Sequence, residues 1–379
     1  MIPVANPLAA YQHYRPELDA AFQSVMQSGR YILGPEVEAF EAEFAAYLGV
    51  RFAVGVASGT EALWLALRAL ELQPGDEVIV PSLTASATVA AIVESDAVPV
   101  FAEIRDSDLT INAAQLESLL SEGPQGRSRR MTDRTRAIMP VHLYGNPADM
   151  TAITQFAKQH DLRVIEDCAQ AHGARHAGQP VGAFGDAAAW SFYPTKNLGA
   201  FGDGGMATTN DREIAARLRR LREYGWRERY HSSEHGWNSR LDEVQAALLR
   251  VRLRHLEADN ARRREIAARY RAALPPALRS PACAGSDLGV EHLFVMRSSH
   301  LRRDELSQKL KQAGVGTAVH YPIPCHLQQA YARFGGGPNS LPLTEHAANE
   351  VLSLPMYPEL SDEEVKQVIA AVLQALRET

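Results

Sequence analysis

A reaction that needs a neutral amine has few candidates in this chain, because only five of its 39 basic residues are lysines: Lys158, Lys196, Lys309, Lys311 and Lys366. Four of them sit on amphipathic helical patterns, where a charged amine stays in water. Lys196 is different. It follows Ser191-Phe192-Tyr193-Pro194-Thr195 and precedes the glycine-rich GAFGDGG at 199–205, in an uncharged neighbourhood at the end of an apolar run. Burial there disfavours the charged form, lowers the pKa from a reference of about 10.4 and makes the amine a nucleophile.

Two further stretches complete a chemical set. Ser58-Gly59-Thr60-Glu61 has the S-x-x-E capping-box spacing at the start of an apolar helical pattern, and its glycine permits close backbone approach. The exposed N–H groups of such a helix start favour a phosphate, although a plain N-cap has the same spacing. Asp167 ends an apolar strand, and Glu166 beside it must point to the opposite face. A carboxylate in that place needs donors or a cation to stay charged, or else caps the next helix. Phosphate cradle, buried carboxylate and amine together describe a site for pyridoxal 5'-phosphate. The amine would hold the aldehyde as an imine, and the aspartate would keep the pyridine nitrogen protonated.

The elements that must position these residues are short apolar runs alternating with helical patterns, from about residue 35 to 210. FAVGVAS at 52–58, EVIVPS at 77–82, AVPVFAEI at 97–104, RAIMPVHLYG at 136–145, DLRVIEDC at 161–168 and AAAWSFY at 187–193 read as strands. Helical segments such as GTEALWLALRALEL and ADMTAITQFAKQH lie between them, the order of a mostly parallel sheet covered on both faces. Ligands of such sheets bind beyond the strand carboxyl ends. Ser58 to Thr60, Ser82 to Thr84, His142 with Tyr144, Asp167 to Gln170, and Ser191 to Lys196 all fall there. The polar stretch at 121–135 reads as a solvated loop, and residues 241–274 as one long amphipathic helix stopped by Pro275-Pro276. Beyond it, a strand-like 292–298, a charged helix at 302–313 and a capped C-terminal helix make a second unit. The expected division is 1–260, a large α/β domain, and 261–379, a smaller α+β domain.

Composition narrows the function classes. The 379 residues carry a net charge of -6 with 46% apolar and 22% charged residues, the balance of an ordinary globular protein without the basic surface that nucleic acid or anionic membranes select. Cys168, Cys283 and Cys325 are odd in number and widely spaced, against a disulfide framework or structural zinc. The N-terminal MIPVANPLAAYQHYRPE lacks the basic stretch and apolar run of a signal peptide, so a cytoplasmic location is expected. GAFGDGG precedes a strand-like GGMATT and lacks GK[ST], which argues against a nucleotide loop. His172 and His176 are separated by Gly173, so no helical metal-ligand spacing arises and no metal is expected. No G-x-S-x-G elbow occurs.

The sequence resembles the DegT/DnrJ/StrS family of fold-type-I, pyridoxal-phosphate-dependent nucleotide-sugar aminotransferases over nearly its whole length. The resemblance is carried by YILGPEVEAFE at 31–41, ASGTEALWLAL at 57–67, PVHLYGNPADM at 140–150, VIEDCAQAHGA at 164–174, SFYPTKNLGAFGDGGM at 191–206, GWNSRLDEVQAALL at 236–249 and HYPIPCHLQQAY at 320–331. It implies a seven-stranded, mostly parallel sheet sandwiched by helices, with Lys196 as the catalytic lysine that holds the cofactor and moves the proton. Asp167 would pair with the pyridine nitrogen, Gln170 with the ring oxygen, and Gly59, Thr60 and Ser191 with the phosphate. Ala169 would lie against one ring face. Asn238 would reach the phosphate from the neighbouring subunit, making a homodimer with shared sites. Many members have an aromatic residue where this chain has Ala85, leaving Thr84 and Ala85 to cover the other face. Relatives with histidine in place of the lysine deoxygenate sugars, so Lys196 implies transamination from L-glutamate to a nucleotide-linked, dTDP-type keto-sugar. NSRLDE at 238–243, HYPIP at 320–324 and Tyr193 are most like members acting on 3-keto-6-deoxyhexoses, with Tyr193, His320 and Tyr321 approaching the hexose. A 4-keto-sugar aminotransferase, a dehydratase or cyclitol enzyme of the same fold, and a non-catalytic ligand-binding regulator are the alternatives.

Overall fold

The computed structural model describes residues 1–119, 131–283, 285–298 and 302–377. Most of the polar stretch at 121–135 therefore lies outside the described residues. Three helices come first: α1 (Pro7–His13), α2 (Arg15–Ser28) and α3 (Pro35–Leu48). Then β1 (Phe52–Val56), α4 (Gly59–Ala69), β2 (Glu77–Pro81), α5 (Ser86–Glu94), β3 (Val98–Ala102), β4 (Thr135–Ile138), α6 (Met150–Gln159) and β5 (Arg163–Asp167) alternate. A small hairpin of β6 (Arg175–His176) and β7 (Gln179–Pro180) precedes β8 (Ala187–Ser191) and β9 (Gly205–Thr209).

The main sheet has the order β1-β9-β8-β5-β4-β2-β3. Neighbours from β8 to β3 run parallel, and β9 alone runs antiparallel to both β8 and β1. This is the mostly parallel seven-stranded sheet expected of fold type I. Both faces are buried, and the pleat assigns side chains to them alternately. Val78 and Val80 join the cluster under α4 and α5, while Ile79 joins the opposite cluster with Ile153 and Phe156 of α6. Ala187 and Ala189 likewise face α4, and Ala188 and Trp190 face Phe40 and Phe44 of α3. The alanines of β8 keep α4 close to the sheet, which matters for the site below.

After α7 (Arg212–Leu221) come a hairpin of β10 (Trp226–Glu228) and β11 (His231–Ser232), and the 31-residue α8 (Glu243–Ala273). Leu274 leaves the helix with extended ψ of 142°, as required of a residue before Pro275. Then follow β12 (Phe294–Arg297), α9 (Arg303–Gln312), α10 (Pro342–Glu350), β13 (Val351–Leu354) and α11 (Asp362–Arg377), with β12 and β13 paired antiparallel. Residue 260 falls inside α8. From Ile266 onward α8 packs into a separate cluster with Phe294, Leu310, Leu352, Val368 and the N-terminal Ile2. We propose 1–260 and 261–379 as the two domains on that ground. Among the described residues no helix is long and apolar enough to cross a membrane.

Candidate active site

The cradle is built by the turn from β1 into α4. Ser58 caps the helix, its Oγ accepting from Glu61 N at 3.2 Å, and Ser58 O accepts from Ala62 N. The N–H groups of Gly59 and Thr60 precede the first intrahelical bonds and stay free for an anion. Only half of the expected capping box forms. Glu61 does not reach back to Ser58; its carboxylate accepts from Ser239 Oγ, whose segment lies 178 residues away in sequence. Gly59 is required by space: a Cβ there would lie 2.5 Å from Cβ of Ser191 and 2.9 Å from its Cα. The missing side chain lets the helix start touch the end of β8.

Gly59, Thr60, Thr84, Asp167, Ala169, Gln170, Ser191 and Lys196 line one cavity of about 230 Å³. These are the residues expected at the cofactor, apart from Asn238; Tyr193, expected at the hexose, stands on the same wall. Asp167 Oδ1 accepts from Ala169 N at 3.1 Å and Oδ2 from Thr88 Oγ1 at 2.8 Å. Thr88 Oγ1 is also 2.7 Å from Thr84 Oγ1, so the Thr84 hydroxyl is engaged in orienting the carboxylate. Burial pushes the Asp167 carboxyl above the ordinary aspartate range, opposed by these two donors and by the charge of Lys196. Burial pulls the Lys196 ammonium down to about 8, partly opposed by Asp167. Glu166 faces the other way and is saturated. It accepts from the backbone N–H of Gly182, Phe184 and Gly185 and lies 3.2 Å from His142 Nε2. His142, Glu166 and Cys168 are near enough to share a metal ion, but His142 Nδ1 already accepts from Ala148 N. That leaves Nε2–H to donate to Glu166, and the pair needs no ion.

A second cavity of about 340 Å³ adjoins the first, sharing Gln170, Tyr193 and Lys196 with it. His292, His320 and Tyr321 stand on its wall, with Val4 and Ala5 of the N-terminal segment. Gln170 Oε1 accepts from Tyr144 N at 2.6 Å, and its Nε2 donates to Tyr321 Oη at 2.9 Å. Tyr144 Oη donates to the carbonyl of His320, which ties the 320–321 segment to the 3-10 turn that follows β4. His320 Nδ1 is 2.8 Å from Ser353 Oγ, and burial with the nearby Lys196 charge brings its imidazole down to about 4. Tyr321 is pushed up by burial and by Asp167, so it remains a neutral phenol with a proton to give.

Asn238 lies outside both cavities of its own chain and is exposed. Thr88, Asp203 and His292 belong to the cavity walls and are absent from the sequence reading. Thr88 is one helical turn after Thr84, and that T-x-x-x-T spacing would have found it. His292 and Asp203 carry no such local signal.

The donor set fits pyridoxal phosphate. Free helix N-terminal N–H groups beside a serine suit a phosphate; a buried carboxylate with two neutral donors suits a protonated ring nitrogen; the amine with lowered pKa lines the same cavity. The comparisons agree. Residues 12–373 match the DegT/DnrJ/EryC1/StrS aminotransferase family. The chain is 49% identical over 373 residues, covering 98% of it and 95% of the relative, to the dTDP-3-amino-3,4,6-trideoxy-alpha-D-glucose transaminase of Streptomyces venezuelae. It is 45% identical to the dTDP-3-amino-3,6-dideoxy-alpha-D-galactopyranose transaminase of Aneurinibacillus thermoaerophilus, over 98% of this chain and 99% of that one. The crystal structure of S. venezuelae DesV in complex with a ketimine intermediate superposes with a TM-score of 0.93 at 48% identity, covering 98% of each chain.

Proposed function

Because the chain belongs to the DegT/DnrJ/EryC1/StrS aminotransferase family, we propose that its acceptor is a dTDP-linked 3-keto-6-deoxyhexose and its donor L-glutamate. The product would be a 3-amino-3,6-dideoxy sugar nucleotide. The protein is a pyridoxal-phosphate-dependent aminotransferase. The observation that carries the reading is the pair of adjoining cavities, with the Lys196 amine on the wall of both. One is an anion cradle with a buried carboxylate; the other, at about 340 Å³, is within the ordinary range for a small-molecule site.

Bound pyridoxal phosphate supplies an electrophilic carbon and an electron sink. The chain supplies the rest. The N–H groups of Gly59 and Thr60, with Ser191, hold the phosphate, and the helix dipole adds to their pull. Asp167, aimed by Thr88 and Ala169 N–H, keeps the ring-nitrogen proton in place. Gln170 would reach the ring oxygen, Ala169 would lie against one face, and Thr84 and Ala85 are the groups available on the other. Lys196 carries the amine that binds the cofactor and then moves a proton at the substrate carbon. A pKa of about 8 suits both tasks, because the neutral and charged forms are each populated near neutrality. Tyr193, His320 and Tyr321 approach the hexose, with Tyr321 donating a hydrogen bond. Asn238 contributes to the phosphate site of a partner subunit, so the working unit is a homodimer located in the cytoplasm.

The experiment is two-stage. Glutamate added to the pyridoxal-phosphate form should convert its absorbance to that of the pyridoxamine form. A dTDP-3-keto-6-deoxyhexose added next should return the original spectrum and yield a product heavier by one amine for ketone exchange, aminated at C3. An amine found at C4, or a spectrum unmoved by this sugar but restored by a 4-keto-sugar, overturns the regiochemistry. No conversion by glutamate overturns the donor.

A further inference from the structure

His292 is 5% exposed and stands on the wall of the larger cavity with Lys196, His320 and Tyr321. Its ring is held by a chain of side-chain amides whose direction can be read without ambiguity. Asn197 Nδ2 lies 3.0 Å from the carbonyl oxygen of Val290 and 2.8 Å from Oδ1 of Asn260. Asn260 Nδ2 in turn lies 2.8 Å from the carbonyl oxygen of His172. Main-chain carbonyls can only accept, so both amide nitrogens must face them and neither amide can be flipped. Asn197 Oδ1 is therefore the atom 3.1 Å from His292 Nδ1, and as an acceptor it requires Nδ1 to carry the ring proton. Burial and the charges of Lys196 and Arg263 hold the imidazole neutral, well below the ordinary histidine pKa. The remaining nitrogen, Nε2, then has a lone pair and no proton. Among the described residues no hydrogen bond reaches Nε2, and Nε2 is not sealed from solvent as both ring nitrogens of His172 are.

We propose that His292 is a substrate-binding residue whose Nε2 accepts a hydrogen bond from a ring hydroxyl of the keto-hexose, with Asn197 and Asn260 as the positioning residues that fix its tautomer. The inference rests on the sugar reading above and deepens it. Tyr321 and His292 then divide the labour on the same wall. The phenol donates, the imidazole accepts, and a hydroxyl beside the carbonyl can satisfy both. A glutamate side chain offers no hydroxyl, so His292 discriminates between the two substrates that share the cavity.

The test separates the two ring nitrogens. His292→Asn keeps a donor where Nδ1 stands and removes the acceptor at Nε2; His292→Gln places an amide oxygen near Nε2 and gives up the anchor. With cofactor-loaded protein, His292→Asn should raise KM for the dTDP-keto-sugar about 10-fold or more relative to any change in the glutamate half-reaction. His292→Gln should recover most of that loss. The reverse order, or equal effects on sugar and glutamate, would make His292 structural and overturn the proposal. Should neither variant hold cofactor, a crystal structure of the wild-type pyridoxamine form with the nucleotide sugar decides. An oxygen of the hexose about 3 Å from Nε2 supports the proposal, and no polar sugar atom within about 4 Å overturns it. Wild-type turnover is the control: its absence with this sugar counts against the substrate reading, whereas normal wild-type turnover beside an unaffected His292→Asn counts against His292 alone.

Discussion

The Lys196 amine shows how burial sets reactivity. A free lysine is protonated far above neutrality, whereas this one falls to about 8 because the cavity withholds water from its charge. The neutral amine is the nucleophile, so covalent capture of pyridoxal phosphate by the apoprotein should accelerate through pH 8 and level off above it. A stopped-flow absorbance series would read this, and a midpoint near the value of free lysine would remove the argument for desolvation. The same shift affects stability with a definite sign. Between about pH 8 and the ordinary lysine value of 10.5 the unfolded chain holds a proton on this group and the folded chain does not, so apoprotein stability from this residue should rise with pH across that window. Lys196→Ala removes the amine without removing the cradle. It should fold, lose the covalent absorbance and lose transamination entirely, and a variant that still turned over would place the chemistry elsewhere.

At the scale of elements, one contact fixes the cradle and a second joins two helices outside it. Gly59 lets α4 meet β8, and Gly59→Ala would press a Cβ into Ser191 at 2.5 Å, where the obstacle is Cβ and backbone, not a flexible tip. Overpacking of this kind typically costs about 1–3 kcal/mol, and here it should push the free N–H groups off the phosphate. The expected result is a cofactor Kd raised about 10-fold with secondary structure intact, measured by titration against absorbance. Glu243, the first residue of α8, caps the start of α3: its carboxylate accepts from the N–H groups of Gly34, Glu36 and Val37 at 2.8, 3.0 and 2.9 Å. Glu243→Ala strands those donors and should lower stability by about 3 kcal/mol in denaturant unfolding, with Glu243→Gln intermediate.

These contacts also mark what the sequence could disclose. Strands β1 to β5 and β8 were legible because each is a buried apolar run, and most of the residues lining the smaller cavity stand beyond their carboxyl ends. Lys196 was legible because lysine is rare here. The partner of Glu61 was not, because Ser239 is brought to it by tertiary structure, and spacing shows only the local alternative. Helix α2 and strand β13 drew no expectation, since their packing partners, α8 and β12, are distant along the chain. His292 was invisible for the same reason: its tautomer is set by Asn197 and Asn260, which no local pattern connects to it.

At the scale of the whole molecule, the open matter is whether one chain makes a site. Asn238 sits on a segment stitched to its own chain, with Trp237 N donating to Leu221 O and Ser239 N to Arg222 O, yet its side chain is exposed and reaches neither cavity. Trp237 beside it is 52% exposed, packed edge to face against Trp64. We propose that this face meets a second copy, carrying Asn238 to the partner's phosphate cradle. In a two-fold dimer the consequence is countable. A dimer of one Lys196→Ala and one Asn238→Ala chain would hold one site with both defects and one with neither. If subunits exchange freely in an equal mixture, half the dimers are mixed and each has one intact site of two, so activity should return to about a quarter of wild type. If Asn238 served its own chain, every site in the mixed dimer would keep one defect and mixing would add nothing. Co-expression with two different affinity tags, followed by assay of the doubly tagged fraction, gives the mixed dimer alone; there the expected activity is about half of wild type. A doubly tagged fraction no more active than the mean of its parents would assign Asn238 to its own subunit and remove the reason for a shared site.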